Sequence, residues 1–316
     1  MSTAKTFHGR TLADEVIQAF HDINGSHPGF RPAHAKGILV AGRFTPSPQA
    51  ASLTRAPHAQ RASTPVTVRF SDTTGIPTIA DADPNASPRG MAIRFHLAEH
   101  VHTDIIGHTV NGFPARTVEE FLELIRAAAA SGPDVPSPKP IEVYLGSHPA
   151  ALRFFQAPKP VPASFFKESF YAVNAVRFVN QKGDACYGRY RIRPDGRNQY
   201  LDPAAAARQE ANFLFDDVSR TLAKSAVTMH ISAQIADAND IVDDATVQWP
   251  DDRPETPFGT LELQSVLPNQ EAEQQHIIFD PIPRVDGIEK SADPLFEPRA
   301  EIYLASGRRR RAEHQG

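Results

Sequence analysis

The stretch Arg31-Pro-Ala-His-Ala-Lys-Gly37, together with Val66-Thr-Val-Arg-Phe-Ser71 after it, carries the strongest fold signal in this chain of 316 residues. The second stretch places apolar side chains at every other position, so one of its sides suits a hydrophobic core. This alternation predicts a half-buried β-strand. The first stretch contains a proline and precedes the strand-like segments of the chain.

Strand patterns recur in the second half of the sequence. Residues 169–180 and 186–193 are expected to be strands joined by a hairpin at Gln181-Lys-Gly-Asp184, and Val227–Ile235 alternates strictly between apolar and polar residues. Because several strands are linked by hairpins with helices inserted between them, we predict an α+β fold built on an antiparallel sheet or barrel. No break in composition divides the chain, which favours a single domain over residues 1–316.

Two helices are marked by their amino-terminal caps. Thr11 is followed by Asp14 at the third helical position, and apolar residues recur after it at helical spacing. Thr117 and Glu120 predict a capping box at the start of the second helix.

The composition excludes several classes of function. A net charge of −4 argues against a nucleic-acid partner, because proteins that bind phosphate backbones carry a clear basic excess. The lone Cys186 excludes an internal disulfide, and no run of about 18 apolar residues predicts a membrane span. Since no signal peptide is recognisable either, a cytoplasmic location is expected.

Further motifs lie between these segments and at the end of the chain. They are Ser87-Pro-Arg-Gly-Met-Ala92, Phe279-Asp-Pro281 and Arg299-Ala-Glu-Ile-Tyr303. Together with Arg31–Gly37 and Val66–Ser71, they resemble the signatures of haem catalases. In those proteins an Arg-x-x-His-Ala-Lys-Gly stretch and an Arg-Phe-Ser strand lie on the distal side of the haem, and an arginine precedes the ligand tyrosine by four residues.

The resemblance runs in the same order from about Thr11 to Arg311, and it points to the minimal, catalase-related peroxidase branch. It implies an antiparallel β-barrel with inserted helices, a catalase-like haem fold without the C-terminal domain of large catalases, and haem b as cofactor. The NADPH that some large catalases bind is not expected, because the chain ends soon after the ligand helix.

The resemblance also assigns roles around the iron. Tyr303 is expected to be its axial ligand, and Arg299, one helical turn earlier, favours the phenolate by donating a hydrogen bond. His34 is expected to move a proton on the other face of the haem, because a neutral imidazole is suited to general acid–base catalysis. Ser71 would orient that imidazole.

A second distal group is ambiguous in the segment Gly107-His-Thr-Val-Asn-Gly-Phe-Pro114. Large catalases have Gly-Asn-Asn-Thr-Pro here. The spacing between asparagine and proline selects Asn111, whereas the preceding glycine selects His108. We favour Asn111 as the amide that hydrogen-bonds the peroxide.

Arg31, Arg69 and Arg310 match positions suited to the haem propionates, since arginine binds carboxylates with two parallel hydrogen bonds. The resemblance implies a peroxidase that reduces hydrogen peroxide or organic hydroperoxides with a small organic electron donor, with weak catalase activity. A fatty-acid-hydroperoxide rearranging enzyme, similar to allene oxide synthases, and a non-catalytic haem-binding protein remain alternatives. Homo-oligomerisation is left open.

Overall fold

The computed structural model describes residues 6–7 and 10–313. A two-stranded sheet and a ten-stranded sheet make up its β-structure, and every strand pairing is antiparallel. The strands are β1 (Thr6–Phe7), β2 (Arg10–Thr11), β3 (Gly37–Pro46), β4 (Thr64–Ser71), β5 (Gly90–Ala98), β6 (Val101–His108), β7 (Phe170–Tyr171), β8 (Val176–Val179), β9 (Ala185–Pro194), β10 (Val227–Ile235), β11 (Glu255–Val266) and β12 (Ile288–Lys290).

Eight of these strands close into a barrel. The order is β10, β11, β3, β4, β5, β6, β7 and β9, and β9 pairs back with β10. Strands β8 and β12 extend the sheet beyond β9. Closure pairs the strand edges that would otherwise be exposed. The predicted α+β fold with an antiparallel barrel is confirmed.

The helices are inserted between the strands and follow them. They are α1 (Leu12–Asn24), α2 (Ala50–Leu53), α3 (Pro57–Gln60), α4 (Val118–Ala129), α5 (Pro140–Ser147), α6 (Pro149–Gln156), α7 (Pro203–Ala206), α8 (Phe213–Leu222), α9 (Gln270–His276) and α10 (Phe296–Glu313). None of those in the described part of the chain is both long and apolar enough to cross a membrane.

Both predicted caps begin a helix, but they differ in detail. At α1 the Thr11 hydroxyl accepts from the Asp14 N–H, and the Asp14 carboxylate accepts from the Thr11 N–H, as expected. At α4 the Thr117 hydroxyl accepts from the Glu120 N–H at 3.1 Å. The Glu120 carboxylate instead accepts from the Arg116 N–H, so the predicted box is only half formed.

The strand predicted over residues 169–180 is interrupted. Strands β7 and β8 are separated by residues 172–175, where the side chain of Asn174 bonds to other side chains of the protein. The hairpin at Gln181–Asp184 joins β8 to β9 as predicted. The single domain predicted over residues 1–316 stays a prediction, and its ends lie outside the described residues.

Alternation along the barrel strands separates the core from the opposite face. Val68 and Phe70 of β4 are fully buried in the main hydrophobic cluster. Because successive side chains of a strand point to opposite faces, Arg69 and Ser71 lie on the other side of the same strand. That outer face is covered by helices.

Helices α1, α4 and α10 form this cover. Helix α1 packs on both α4 and α10, and the Arg309 guanidinium of α10 pairs with the Asp14 carboxylate of α1 at 2.6 Å. At Gly307 the helix passes so close to Ile278 that an added Cβ would lie 2.3 Å from its Cδ1 atom. These contacts set α10 against the barrel face.

His58 is a polar residue inside the apolar core. Its ring lies 4.7 Å from the ring centre of Phe95, and the rings of Phe44 and Phe258 pack on it as well. Its Nδ1 atom has no hydrogen-bond partner among the described residues. Burial lowers the pKa of His58 from 6.5 to about 3, so the neutral ring behaves as a core side chain.

We predict that His58→Phe weakens the acid sensitivity of folding. The unfolded chain protonates this histidine below about pH 6.5, whereas the folded chain does not until about pH 3, so His58 removes stability as the pH falls between these values. The variant should lower the slope of unfolding free energy against pH by up to about 1.4 kcal/mol per pH unit near pH 5. Urea titrations at several pH values measure this slope.

His100→Asn is the matched control. The His100 side chain is 92% exposed, and asparagine tolerates the left-handed backbone at this position (φ 57°). Its slope should equal that of the unmodified protein. Equal slopes for the His58→Phe variant and this control would contradict the prediction.

Candidate functional site

A large cavity lies between the outer barrel face and the covering helices. Strands β4, β5 and β6 border it on one side and helices α1, α4 and α10 on the other, and it encloses about 1330 Å³ of empty space including its mouth. Seven of the eight predicted site residues line it: Arg31, His34, Ser71, Arg69, Arg299, Tyr303 and Arg310.

His34 is held at the cavity wall by its backbone and by its ring. Its φ of 57° is in the left-handed region, which costs energy for a residue other than glycine. The His34 N–H donates to the Thr73 carbonyl, and the His34 carbonyl accepts from Arg69 Nη2 at 2.8 Å. The ring Nδ1 lies 3.0 Å from Ser71 Oγ. Burial and the neighbouring Arg69 charge lower the pKa of His34 to about 3, so the imidazole is neutral at physiological pH.

The absence of a side chain at Gly90 provides room for the side chains of His34 and Ser71. Gly90 pairs with Ser71 across β4 and β5. A Cβ at Gly90 would lie 2.6 Å from Ser71 Oγ and 2.8 Å from His34 Nδ1. A side chain at this position therefore clashes with the hydrogen bond between serine and histidine.

A chain of hydrogen bonds runs from Tyr303 into the protein. Arg299 Nη2 donates to the Tyr303 hydroxyl oxygen at 3.1 Å, across one turn of α10. Arg299 Nη1 donates to Asn174 Oδ1, and Asn174 Nδ2 donates to Asp293 Oδ2 at 2.8 Å. Burial raises the pKa of Asp293, although the Leu295 N–H and Asn174 favour its charged form. This series of hydrogen bonds holds the Arg299 guanidinium beside the Tyr303 phenol.

Sequence reasoning missed Asn174. Its partners lie 119 and 125 residues away along the chain, and its local context is an interrupted strand. No local pattern signals such a contact, whereas Arg299 and Tyr303 are recognisable from their helical spacing.

Three arginines converge at another part of the cavity without a carboxylate partner. Arg31 Nη2 and Arg310 Nη2 donate to the same Ile277 carbonyl, at 3.0 and 3.2 Å, and Arg69 Nε donates to Gln274. In the described part of the chain no Asp or Glu forms an ion pair with any of the three. The Nε atom of Arg310 is buried without a hydrogen-bond partner.

These arginines carry the electrostatic cost of being buried together. Burial and the charges of Arg69 and Arg310 lower the pKa of Arg31. Burial and the Arg310 charge likewise lower the pKa of Arg69 to about 9. Buried charges are normally paired, so this part of the cavity is suited to an anionic ligand.

The comparisons with known proteins agree with this architecture. Residues 12–315 match the catalase family model. The chain belongs to the catalase family. It is 30% identical to a catalase-related peroxidase from Mycolicibacterium paratuberculosis, over 98% of this chain and 97% of that protein. It is 28% identical to a catalase-related peroxidase from Synechococcus elongatus, over 93% and 87% respectively.

Solved catalases share the fold. A fungal catalase superposes with a TM-score of 0.79 at 20% identity, covering 98% of this chain and 65% of the fungal one. Catalase A from Saccharomyces cerevisiae gives 0.79 at 20% identity, covering 100% and 69%. The chain therefore spans about two thirds of these solved catalases.

Membership of the catalase family implies a haem cofactor, and the cavity residues fit one. The orphaned Nε of Arg310 and the unpaired arginine cluster suit the carboxylates of a porphyrin. Tyr303, with an arginine beside it, has a phenol oxygen of the type that can ligate haem iron. Apolar side chains on the cavity wall, among them Phe20, Phe113 and Phe121, suit the rest of the macrocycle.

Asn111 lies away from the cavity, in contrast to the preference derived from sequence. Its Oδ1 atom accepts from Arg191 Nη1 at 2.7 Å, and it is absent from the described residues that line the cavity. His108 lines the cavity instead. The reason is local: β6 extends as far as His108, and the turn after it directs Asn111 towards Arg191 on β9.

We predict that Gly90→Ala displaces the pair formed by His34 and Ser71. The added methyl group overpacks the site and should cost about 1–3 kcal/mol of unfolding free energy. Urea titration measures the loss, and a crystal structure of the variant should show a lengthened distance between Nδ1 and Oγ.

Gly146→Ala provides the control, because nothing lies within 4 Å of a Cβ at this position of helix α5. Alanine should be neutral there or stabilise by about 0.5–1 kcal/mol. Similar stabilities for the two variants would show that the space at Gly90 is not restricted as described.

Proposed function

We propose that this protein is a haem-dependent peroxidase that reduces hydrogen peroxide or an organic hydroperoxide with a small organic electron donor. One observation carries the proposal. A neutral imidazole bonded to Ser71 and a tyrosine bonded to Arg299 share one cavity, which an unpaired arginine cluster also borders. The near full-length similarity to two proteins named catalase-related peroxidase supports it.

The proposed cofactor is haem b, and the phenol oxygen of Tyr303 is the group that would hold its iron. Arg299 donates a hydrogen bond to that oxygen, and Asn174 and Asp293 hold the guanidinium in place. Arg31, Arg69 and Arg310 would pair with the propionates. When bound, the haem would supply the redox chemistry of the reaction, the two electrons needed to break the O–O bond of the peroxide.

His34 would move the proton that this cleavage requires. With Nδ1–H donating to Ser71 Oγ, Nε2 is free to accept the proton of the near oxygen of the peroxide. His34 would then return this proton to the far oxygen, which leaves as water or as an alcohol. Two one-electron oxidations of the donor would supply the two electrons that the reduction of the peroxide consumes. Two further protons would convert the near oxygen to water.

Both the location and the partners belong to this proposal. A cytoplasmic enzyme fits the single cysteine of the sequence, and its partners would be the peroxide and the donor. Homo-oligomerisation is not required by any residue of the cavity described above.

We predict that His34→Ala retains the haem but lowers peroxide-dependent oxidation of a dye donor by about 10²- to 10⁴-fold, the usual loss on removing a general acid–base. His34→Asn should behave alike while tolerating the left-handed backbone. His230→Ala, at an exposed position of β10, is the control and should keep full activity.

The same assay separates the alternatives. Dioxygen release that dominates over dye oxidation would contradict the peroxidase assignment. Rearranged products from a lipid hydroperoxide, without donor oxidation, would indicate a hydroperoxide-rearranging enzyme. Haem binding without any turnover would indicate a haem-binding protein.

For Tyr303→Phe we expect loss of the visible absorption spectrum of tyrosinate-ligated, high-spin ferric haem, because phenylalanine cannot coordinate iron. Absorption spectra of the purified and haem-reconstituted variant measure this. Tyr144→Phe is a suitable control, since Tyr144 lies on α5 and donates to the Glu120 carbonyl. An unchanged spectrum in Tyr303→Phe would exclude this residue as the ligand.

A further inference from the structure

His108, at the end of β6, is a buried imidazole that the proton-transfer scheme above does not use. It lines the cavity together with His34. Its ring centre lies 6.4 Å from that of Phe113 and 6.1 Å from that of Phe154, which meets it edge-on. These two aromatic contacts restrict the orientation of the ring.

The hydrogen bonds of His108 determine which nitrogen carries the proton. The Val110 N–H donates to Nδ1 at 3.2 Å, and a ring nitrogen that accepts a hydrogen bond is unprotonated. Burial and the Arg299 charge lower the pKa of His108 to about 4, so the ring is neutral. The proton therefore lies on Nε2.

Nε2–H is left as a buried donor without an acceptor. Its nitrogen has no hydrogen-bond partner among the described residues. Buried polar groups are nearly always hydrogen-bonded, and an exception calls for an explanation such as a catalytic role or a bound water or ion. Because His108 lines the cavity, an oxygen or an anion bound beside its ring would satisfy this donor.

Asn111, the other residue considered for this role, is already engaged. Its carbonyl oxygen accepts from Arg191, which also bonds to Gln234 and stacks over the Tyr171 ring. These contacts keep the amide on β9's side of the turn. His108 directly follows Gly107, so it stands at the position where large catalases carry the first asparagine of their Gly-Asn-Asn-Thr-Pro motif.

We propose that His108 is the second catalytic group of the cavity and that its Nε2–H donates a hydrogen bond to the peroxide oxygen. It keeps its proton throughout, whereas His34 exchanges one. This inference rests on the proposed function. It assigns binding and polarisation of the peroxide to an imidazole, where the family pattern has an amide.

The first test needs neither haem nor activity. Nitrogen-15 NMR of the histidine rings in the haem-free protein should show His108 with a protonated Nε2 and an unprotonated Nδ1 at pH 7. His108→Gln identifies the signal by its disappearance. The opposite tautomer would overturn the proposal.

The second test measures fluoride binding to the ferric haem protein at constant pH. Fluoride accepts hydrogen bonds, so His108→Leu should raise its dissociation constant about tenfold, the loss of one modest hydrogen bond. His108→Asn, which retains an N–H donor, should stay within about threefold of the unmodified protein. An unchanged constant in His108→Leu would overturn the proposal.

Asn111→Asp is the matched control. The aspartate keeps an acceptor for Arg191, with which its charge can pair, but it has lost the amide donor. Fluoride affinity should be unchanged, and a tenfold loss here with none in His108→Leu would assign the role to Asn111 instead. If fluoride binding depends on His108 while the unmodified protein reduces no peroxide, the proposed function fails and the assignment of the donor stands.

Discussion

The two-residue alternation of the barrel strands is the constraint on which the cavity depends. Four consecutive residues of β4 serve both faces. Val68 and Phe70 belong to the hydrophobic core, whereas Arg69 and Ser71 lie on the opposite face. Barrel closure holds this face in a defined register, with Ser71 paired to Gly90 and to Gly37. A slip of one residue would exchange the two faces. The strand register that forms the hydrophobic core therefore also places the polar side chains of the site.

The cavity is lined by ionisable side chains whose burial costs free energy when no ligand is bound. Unpaired arginines are buried at one part, and neutral histidines with strongly lowered pKa values line the wall. A ligand that binds only the folded chain adds stability to it. An anionic macrocycle in this cavity would pair the guanidiniums and occupy the free donors. We therefore expect haem binding and folding to be strongly linked in this protein.

The side chains of the site are positioned partly by neighbours in sequence and partly by residues far away in sequence. Arg299 and Tyr303 meet because one helical turn separates them. The guanidinium keeps its orientation only because Asn174 and Asp293, from two other segments, complete the chain of hydrogen bonds. In the same way, Ser71 orients His34 across 37 residues of sequence. His34 and Tyr303 are thus each positioned by one hydrogen-bonded side chain, Ser71 and Arg299 respectively.

The sequence by itself determined the features that depend on short-range spacing: the strand alternation, the cap at Thr11, the hairpin before β9 and the arginine–tyrosine pair on α10. Only the tertiary structure shows that His108 lines the cavity and that Asn111 does not, and only it revealed Asn174. The difference has a physical cause. Periodicity and caps are set by neighbours within about four residues, whereas the direction of a turn after a strand is set by what it packs against. Arg191, on a strand some 80 residues away, takes Asn111 and leaves His108 in the cavity.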